Sequence, residues 1–405
     1  MTVSFYAELL SNIQVLRATI ATDESVETTS FTVKNNQLWQ EDTVVVDLTR
    51  HGLQADPHSL QVQAKNDESN HGDRWIYQLK VNLQRQQQTT HSSSSVQLGN
   101  NDKEWWTAKD MIGLQWQQLQ CRHCAQILVE NKNNNLSRCK DLPSEHWYEL
   151  VECWICHETK PEEHQARMRP ILAQHGTLLV GSFYFLIHVN DLVPLSIKLD
   201  QELANQINWE RGTMTKWISI NCNTCGKVIG EGLYECQKDQ ELNMLALKLY
   251  KYCLTIQPNP PELPDFMNFV VGDMVDAAKV HATHRFVIQG KKSSRVYALV
   301  WLFNWDTTFI YNDGFKDEVD DMTGKIDFQR GMKILYMNTK DDDQLVKKWN
   351  HDKTTDHLIY PDTYCQQLVK SLESTTNILP PSLRTMNHPS MPMTKNFSVG
   401  FIHRK

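Results

Sequence analysis

Two cysteine pairs in the sequence have the spacing of metal-binding knuckles. The first pair is Cys121 and Cys124 and the second is Cys222 and Cys225, with two residues between the cysteines of each. In both pairs a small residue, a polar residue and two aliphatic residues follow the second cysteine. Each pair can supply two thiolates to one side of a tetrahedral Zn²⁺ ion, so that both together complete a closed site with four sulfur ligands. The pattern therefore predicts a structural zinc ion.

The two pairs lie far apart in the sequence, which distinguishes this arrangement from a compact zinc finger. A metal ion that joins distant segments closes a long loop and so acts as an effective staple. The alternatives to one shared zinc site are two separate metal sites, or thiols that are buried without a metal.

A third cluster of possible metal ligands lies between the two knuckles. Cys153, Cys156 and His157 follow one another closely, and Trp147 and Trp154 flank the last two. Cysteine and histidine are soft metal ligands. An exposed Cys156-His157 pair, anchored by the two tryptophans, could enter the metal cleft of a partner protein. The alternative is that the tryptophans belong to the core and the pair is buried.

Composition and charge limit the classes of partner. The protein has 405 residues, of which 40% are hydrophobic and 22% are charged, and its net charge is -7. This acidic balance argues against direct nucleic-acid binding, which requires a basic face. No apolar run reaches the roughly 20 residues that cross a bilayer, and no signal peptide is visible. We therefore expect an intracellular protein of the cytoplasm or nucleus, without a membrane partner, whose ten cysteines are reduced.

The elements that position these residues are mostly strands. Region 1–84 is β-rich and predicts a sandwich or barrel-like sheet. In its clearest strand, apolar residues occupy every second position from Trp75 to Leu83, a period that gives one buried face. Region 85–103 is rich in Gln, Ser, Thr and Asn and predicts a polar linker or loop.

The rest of the chain divides at a proline-rich break. Region 104–256 is the predicted zinc-knuckle central region, and four prolines in region 257–264 oppose regular structure. Region 265–405 combines helical and strand patterns and predicts an α+β region. The sequence as a whole predicts an α+β, β-rich fold with a zinc-clasped central region.

Several motifs follow one another in a recognisable order. They are Cys121-x-x-Cys124, Leu142-Pro-Ser-Glu-His-Trp147, Trp154-x-Cys156-His157, Gly181-Ser-Phe-Tyr-Phe185, Cys222-x-x-Cys225 and the ending Leu379-Pro-Pro-Ser-Leu-Arg-x-Met-Asn387. In this order the chain resembles the HECT-like E3 ubiquitin ligases that bind ubiquitin-conjugating enzymes (E2 enzymes). The resemblance implies that the protein accepts ubiquitin from an E2 enzyme and promotes its transfer to a substrate, with the E2 enzyme and ubiquitin as partners.

The resemblance also implies a catalytic residue near the C-terminus. HECT ligases carry ubiquitin as a thioester on a cysteine, and Pro361-Asp-Thr-Tyr-Cys365 is similar to the segment around that cysteine. Cys365 is therefore the predicted catalytic cysteine. The segment departs from the family pattern because Tyr364 replaces a threonine and one residue fewer separates the proline from the cysteine. The alternative is a buried cysteine at the start of a helix.

A second function follows from the same resemblance. The family is associated with the zinc-dependent endonuclease of mRNA 3′-end processing, as a stabilising partner. In this alternative the protein is a non-catalytic, zinc-stabilised chaperone or inhibitor that docks on the nuclease through Trp154, Cys156 and His157. The exposure of Cys156 and of Cys365 distinguishes the two functions, since a ligase needs a reactive Cys365 and a chaperone does not.

Overall fold

Strand pairing joins the two ends of the chain. Met1–Asn101 and Val270–Lys405 belong to one unit, and Asp102–Phe269 forms a second, middle unit. The computed structural model describes residues 3–10, 13–49, 53–65, 74–85, 104–132, 135–136, 138–143, 171–211, 214–236, 241–315, 327–338, 344–386 and 396–404.

The regular elements within these residues are numbered here in chain order. The strands are β1 (Ser4–Leu10), β2 (Val15–Thr22), β3 (Phe31–Lys34), β4 (Gln37–Gln40), β5 (Thr43–Asp47), β6 (Leu53–Ala55), β7 (Gln61–Lys65), β8 (Trp75–Arg85), β9 (Gln118–Cys121), β10 (Ile127–Glu130), β11 (Arg138–Asp141), β12 (Thr177–Val180), β13 (Tyr184–His188), β14 (Ile197–Leu199), β15 (Thr215–Cys222), β16 (Val228–Cys236), β17 (Leu242–Tyr250), β18 (Leu254–Gln257), β19 (Arg285–Gly290), β20 (Val296–Tyr311), β21 (Gln329–Asn338), β22 (Thr355–Tyr360) and β23 (Ser398–His403). The α-helices are α1 (Ala108–Leu114), α2 (Gln201–Gln206), α3 (Phe266–His281), α4 (Gln344–Asn350) and α5 (Asp362–Thr376).

The unit formed by the two chain ends contains a ten-stranded sheet within the described residues. Its strand order is β22-β19-β20-β1-β2-β8-β6, while β21 pairs with β20 and β23, and β7 pairs with β8. Strand β1 pairs with β20 in antiparallel register, with Ala7 opposite Ile310. Strands from the N-terminal and the C-terminal part of the chain therefore belong to one continuous sheet.

Alternating side chains of this sheet pack against two separate layers. Tyr77, Leu79 and Val81 on β8 are buried in one cluster with the small sheet β3-β4-β5. The predicted buried face of this strand is thus confirmed, although Trp75 at its start is 39% exposed. On the opposite face, aromatic side chains such as Phe309 pack with α4 through Trp349.

The middle unit contains two sheets. Seven strands follow the order β11-β12-β13-β17-β16-β15-β14, and a three-stranded sheet has the order β10-β9-β18. Strands β11 and β12 are parallel, and the other neighbours in both sheets are antiparallel. Helix α1 begins after Thr107, whose hydroxyl accepts a hydrogen bond from the Asp110 N–H while the Asp110 carboxylate accepts one from the Thr107 N–H. This reciprocal cap satisfies two amides at the start of the helix.

The prediction of a strand-rich α+β fold is confirmed by these elements. No helix among the described residues combines the length and the apolar character needed to cross a membrane.

A pair of glycines in the middle unit gives a test of its packing. A Cβ atom on Gly230 of β16 would lie 1.9 Å from the Lys248 carbonyl oxygen of β17, whereas one on Gly113 of α1 would meet no atom within 4 Å. We expect Gly230→Ala to lower the free energy of unfolding by about 2 kcal/mol or more, because the β16–β17 pairing has to shift. Gly113→Ala is the matched control and should be neutral or stabilising by about 0.5 kcal/mol, because alanine favours a helix. Urea unfolding measures both, and equal stabilities of the two variants would contradict the described pairing.

Candidate functional site

Four cysteine thiols converge in the middle unit. The sulfur atoms of Cys121 and Cys225 lie 3.7 Å apart, and those of Cys124 and Cys222 lie 3.6 Å apart. All four sulfur atoms lie within 4.8 Å of one another. A tetrahedral site with Zn–S bonds of about 2.3 Å has S···S edges of about 3.8 Å, so the spacing of these thiols fits such an ion. The cluster could hold a metal.

The first knuckle is a tight turn between β9 and β10. Cys121 is the last residue of β9, and its N–H donates to the Gln126 carbonyl oxygen at 2.8 Å. The Ala125 N–H donates to the Cys121 carbonyl oxygen at 2.8 Å, and Ala125 has a φ of 57°. The turn therefore needs a residue that tolerates the left-handed region, where bulky side chains are disfavoured.

The second knuckle repeats these hydrogen bonds between β15 and β16. Cys222 is the last residue of β15, and its N–H donates to the Lys227 carbonyl oxygen at 2.8 Å. The Gly226 N–H donates to the Cys222 carbonyl oxygen at 2.9 Å, and Gly226 has a φ of 71°. The small residue after each second cysteine, seen in the sequence, is thus the left-handed residue of each turn.

The two knuckles lie against each other although each ends a strand of a different sheet. Cys121 lies opposite Leu254 of β18, and Cys222 lies opposite Ile197 of β14. The Thr224 hydroxyl donates to the Gln126 side-chain oxygen at 2.8 Å, directly between the knuckles. A metal held by the four thiols would connect the three-stranded sheet to the seven-stranded sheet.

Arg122 and His123, the two residues inside the first knuckle, have different environments. The Arg122 guanidinium donates to the carbonyl oxygens of Tyr252 and Pro264, at 3.2 and 2.8 Å. It thereby fixes the segment that follows β17 to the knuckle, a role that the sequence did not reveal. His123 is exposed.

The thiols of the cluster differ in their proton affinity. Burial raises the pKa of Cys121 and also that of Cys124. Burial acts in the same direction on Cys225, but hydrogen bonds from the Lys227 N–H and the neighbouring thiols lower its pKa. Binding of a divalent cation would require the thiols to lose their protons, so that metal affinity decreases at acidic pH.

Cys365 lies in the first turns of α5 and is completely buried. Its sulfur lies 3.4 Å from the Gln289 carbonyl oxygen and 3.6 Å from that of Tyr360. Burial, followed by the charge of Asp362, raises the pKa of this thiol from 9.0 to about 12. A thiolate nucleophile needs the opposite conditions, namely access to solvent and a lowered pKa.

Asp362, also at the start of α5, organises the turn between β19 and β20. Its carboxylate accepts hydrogen bonds from the Lys292 N–H and the Tyr297 hydroxyl, both at 3.0 Å, and from the Ser293 hydroxyl. Partial burial alone would raise the pKa of Asp362, but these hydrogen bonds hold it below its ordinary value. The sequence indicates this position through a proline followed by an acidic residue, a pattern that is common at the start of a helix.

The predicted partner-binding residues Trp147, Trp154, Cys156 and His157 lie outside the described residues. The docking of this element on an endonuclease, like the question of a second metal at Cys153, stays a prediction.

Comparison with known proteins agrees with the resemblance seen in the motifs. A family model described as HECT-like ubiquitin-conjugating enzyme (E2)-binding matches residues 8–391. An E3 ubiquitin-protein ligase of Pongo abelii is 26% identical over 301 residues, which cover 70% of this chain and 71% of the relative. The ligase of the same name from Homo sapiens is 26% identical over 306 residues, with the same coverage. An uncharacterised protein of Saccharomyces cerevisiae is 21% identical over 297 residues, covering 71% of this chain and 72% of the relative.

No solved structure matches the chain.

The metal site can be tested by its ligands. We expect the purified protein to contain one zinc ion with four sulfur ligands, and Cys124→Ser or Cys225→Ser to release it and lower the melting temperature, because metal binding and folding are coupled. Cys236→Ser is the matched control, since this cysteine lies in the same unit outside the cluster. Elemental analysis and X-ray absorption measure metal and ligands. Zinc-free protein that melts like the metal-containing protein would refute the site.

The environment of Cys365 predicts low reactivity. A pKa of about 12 leaves a thiolate fraction about a thousandfold below that of a thiol with a pKa of 9.0 at neutral pH. We therefore expect iodoacetamide to label half-buried Cys236 well before Cys365 in the native protein, as measured by mass spectrometry of peptides. In denaturant, the two cysteines should be labelled at similar rates. Native labelling of Cys365 at least as fast as that of Cys236 would show that the thiol is accessible.

Proposed function

Because the chain belongs to the HECT-like, ubiquitin-conjugating enzyme (E2)-binding family, we propose that it binds an E2 enzyme charged with ubiquitin and promotes transfer of ubiquitin to a substrate protein. The family match over residues 8–391 is the observation that carries this proposal. The E3 ubiquitin-protein ligases of Pongo abelii and Homo sapiens, which the chain resembles over 70% of its length, support it.

Zinc has a structural role in this proposal. Cys121, Cys124, Cys222 and Cys225 would occupy all four positions of a tetrahedral ion and leave none open for a substrate. The spacing of their sulfur atoms supports zinc. The ion would hold two sheets of the middle unit together and take no part in ubiquitin transfer.

Two routes of transfer are chemically possible. In the first, the Cys365 thiolate attacks the thioester carbonyl of the charged E2 enzyme, and the E2 cysteine leaves as a thiolate. A substrate lysine then attacks the new thioester, forms an amide, loses a proton and releases the Cys365 thiolate. In the second, the lysine attacks the E2 thioester directly while the protein holds E2 enzyme and substrate together.

The surroundings of Cys365 favour the direct route. Ubiquitin could reach this sulfur only if the start of α5 moved away from the Gln289 and Tyr360 carbonyl groups. A helix N-terminus favours a thiolate, but burial outweighs it here, since the pKa is raised to about 12. Covalent catalysis by Cys365 stays a prediction, and direct transfer from a bound E2 enzyme is the version of the function that we propose.

The two routes can be separated with variants of one residue. We expect Cys365→Ser to retain at least about half of the E2-dependent ubiquitin transfer, because a serine hydroxyl can donate to the same carbonyl groups and preserve the fold. The assay is single-turnover discharge of a charged E2 enzyme onto substrate or free lysine. Cys365→Ala, which removes the hydrogen-bond donor, should retain a similar fraction of the transfer, provided that its melting temperature matches that of the wild type.

The covalent route has different products. It would give a ubiquitin adduct on the wild-type protein that thiol reductants cleave, and an ester on Cys365→Ser that resists reductants but not hydroxide. Detection of these adducts, with loss of transfer in Cys365→Ala, would establish Cys365 as the carrier. If wild-type protein neither binds a charged E2 enzyme nor accelerates its discharge, the proposed function itself is wrong.

A further inference from the structure

Two rows of polar side chains cross the N-terminal part of the ten-stranded sheet. In the first row, Tyr6, Thr19, Gln78 and Gln63 lie opposite one another on β1, β2, β8 and β7. Side chains of directly opposed residues on neighbouring strands lie about 5 Å apart on one face. This row therefore forms a continuous polar line across four strands.

The second row runs parallel to the first, two residues further along each strand. It consists of Glu8, Arg17, Lys80 and Gln61, again in direct cross-strand register. Both rows point away from the buried cluster of Ala18, which occupies the other face of the sheet.

The rows form the floor of a cavity of about 350 Å³. Its wall includes the apolar side chains of Leu379, Leu383 and Met386, which belong to the C-terminal Leu-Pro-Pro-Ser-Leu-Arg motif. This motif, noted in the sequence as a family feature, thus lines one side of a cavity whose opposite side is polar. We call the two rows and this wall the polar groove.

Several polar groups of the groove have no partner within the described part of the chain. Thr19 lines the cavity, and its hydroxyl makes no hydrogen bond to a described residue, although it is not among the fully enclosed polar atoms that lack a partner. The side chains of Gln61, Gln63 and Gln78 likewise make no hydrogen bond to a described residue; Gln61 and Gln63 are exposed, and Gln78 is half-buried. The Thr19 hydroxyl opens into the cavity, so a bound ligand could donate to it or accept from it in place of solvent.

The charges of the groove are also unbalanced. Glu8 is the one acidic residue among the described lining residues, and its carboxylate already accepts hydrogen bonds from Lys333 at 2.7 Å and from Thr307 at 2.8 Å. Arg17 and Lys80 lie opposite each other and form no ion pair among the described residues. Glu8 lies opposite Arg17 on its other side, so that one carboxylate faces the three cations Arg17, Lys80 and Lys333 of the lining. A further anionic group between Arg17 and Lys80 would offset their mutual repulsion. In a protein of net charge -7, this is a local excess of cations.

We propose that the polar groove binds an extended, acidic peptide segment of a partner protein. A carboxylate of the segment bridges Arg17 and Lys80, and charge-assisted hydrogen bonds of this kind are stronger than neutral ones. The glutamine amides, each both donor and acceptor, pair with peptide groups of the extended backbone. An apolar side chain beside the carboxylate packs on Leu383 and Met386. A simple anion or a nucleic acid would leave the apolar wall unused.

This inference does not depend on E2 binding or on the cysteine cluster. The groove lies entirely within the unit of the two chain ends, whereas the four cysteines lie in the middle unit. Peptide binding and ubiquitin transfer can therefore be measured in separate assays. A failure of one proposal leaves the other standing.

A peptide array tests the groove with the full-length protein. Its members carry one leucine at varied distances from an Asp-Glu pair, and each has a counterpart in which lysine replaces both acids. We expect acidic members to bind and their counterparts not to bind. In fluorescence anisotropy, Arg17→Gln and Lys80→Gln should each weaken binding of the best member about tenfold, since each removes a charge-assisted contact. Thr19→Val should weaken it about fivefold by removing the hydroxyl that faces the cavity.

Lys34→Gln is the matched control, because Lys34 is an exposed lysine of β3 in the same unit that does not line the groove. It should bind the peptide like the wild type, and all four variants should melt like the wild type within a few degrees. The proposal is overturned if no acidic member binds more tightly than its lysine counterpart. It is equally overturned if Lys34→Gln weakens binding as much as Arg17→Gln and Lys80→Gln, since the attraction would then be general.

Discussion

The convergence of four thiols is the constraint on which the middle unit depends. Strands β9 and β15 end at Cys121 and Cys222, and each belongs to a different sheet. Both knuckles turn the chain with the same two backbone hydrogen bonds, and their sulfur atoms face one another. The paths of β10, β14 and β18 follow from this geometry, because these strands pair with the strands that carry the knuckles or return from them.

Features with a local cause could be predicted from the sequence. The knuckles were visible because two residues separate the cysteines of each and a small residue follows, and the left-handed φ of Ala125 and Gly226 explains that small residue. The buried side of β8 was visible because its period is two. By contrast, the pairing of β1 with β20 joins positions at opposite ends of the chain, and no local pattern specifies it. The role of Arg122 was hidden for the same reason, since its partners are backbone carbonyl groups far away in sequence.

Cys365 shows why a motif is not sufficient to predict reactivity. The surrounding segment resembles that of a ubiquitin-carrying cysteine, and a place at the start of a helix such as α5 by itself favours a thiolate. The structure adds two effects of opposite sign, which are complete burial and the carboxylate of Asp362. Since neither can be read from spacing, the sequence located the residue on its helix but could not describe its chemistry.

The pairing of β1 with β20 has a consequence for the order in which the protein is made. On the ribosome, the N-terminal strands emerge long before β20, and the middle unit is completed between them. Until β20 arrives, β1 has one unpaired edge, and such edges are prone to associate with other chains. Nascent chains that stall after the middle unit would therefore carry a finished middle unit and an unfinished sheet. A truncation that removes β20 would leave the same edge of β1 exposed permanently, so that it would reduce solubility through the N-terminal strands rather than through the residues removed.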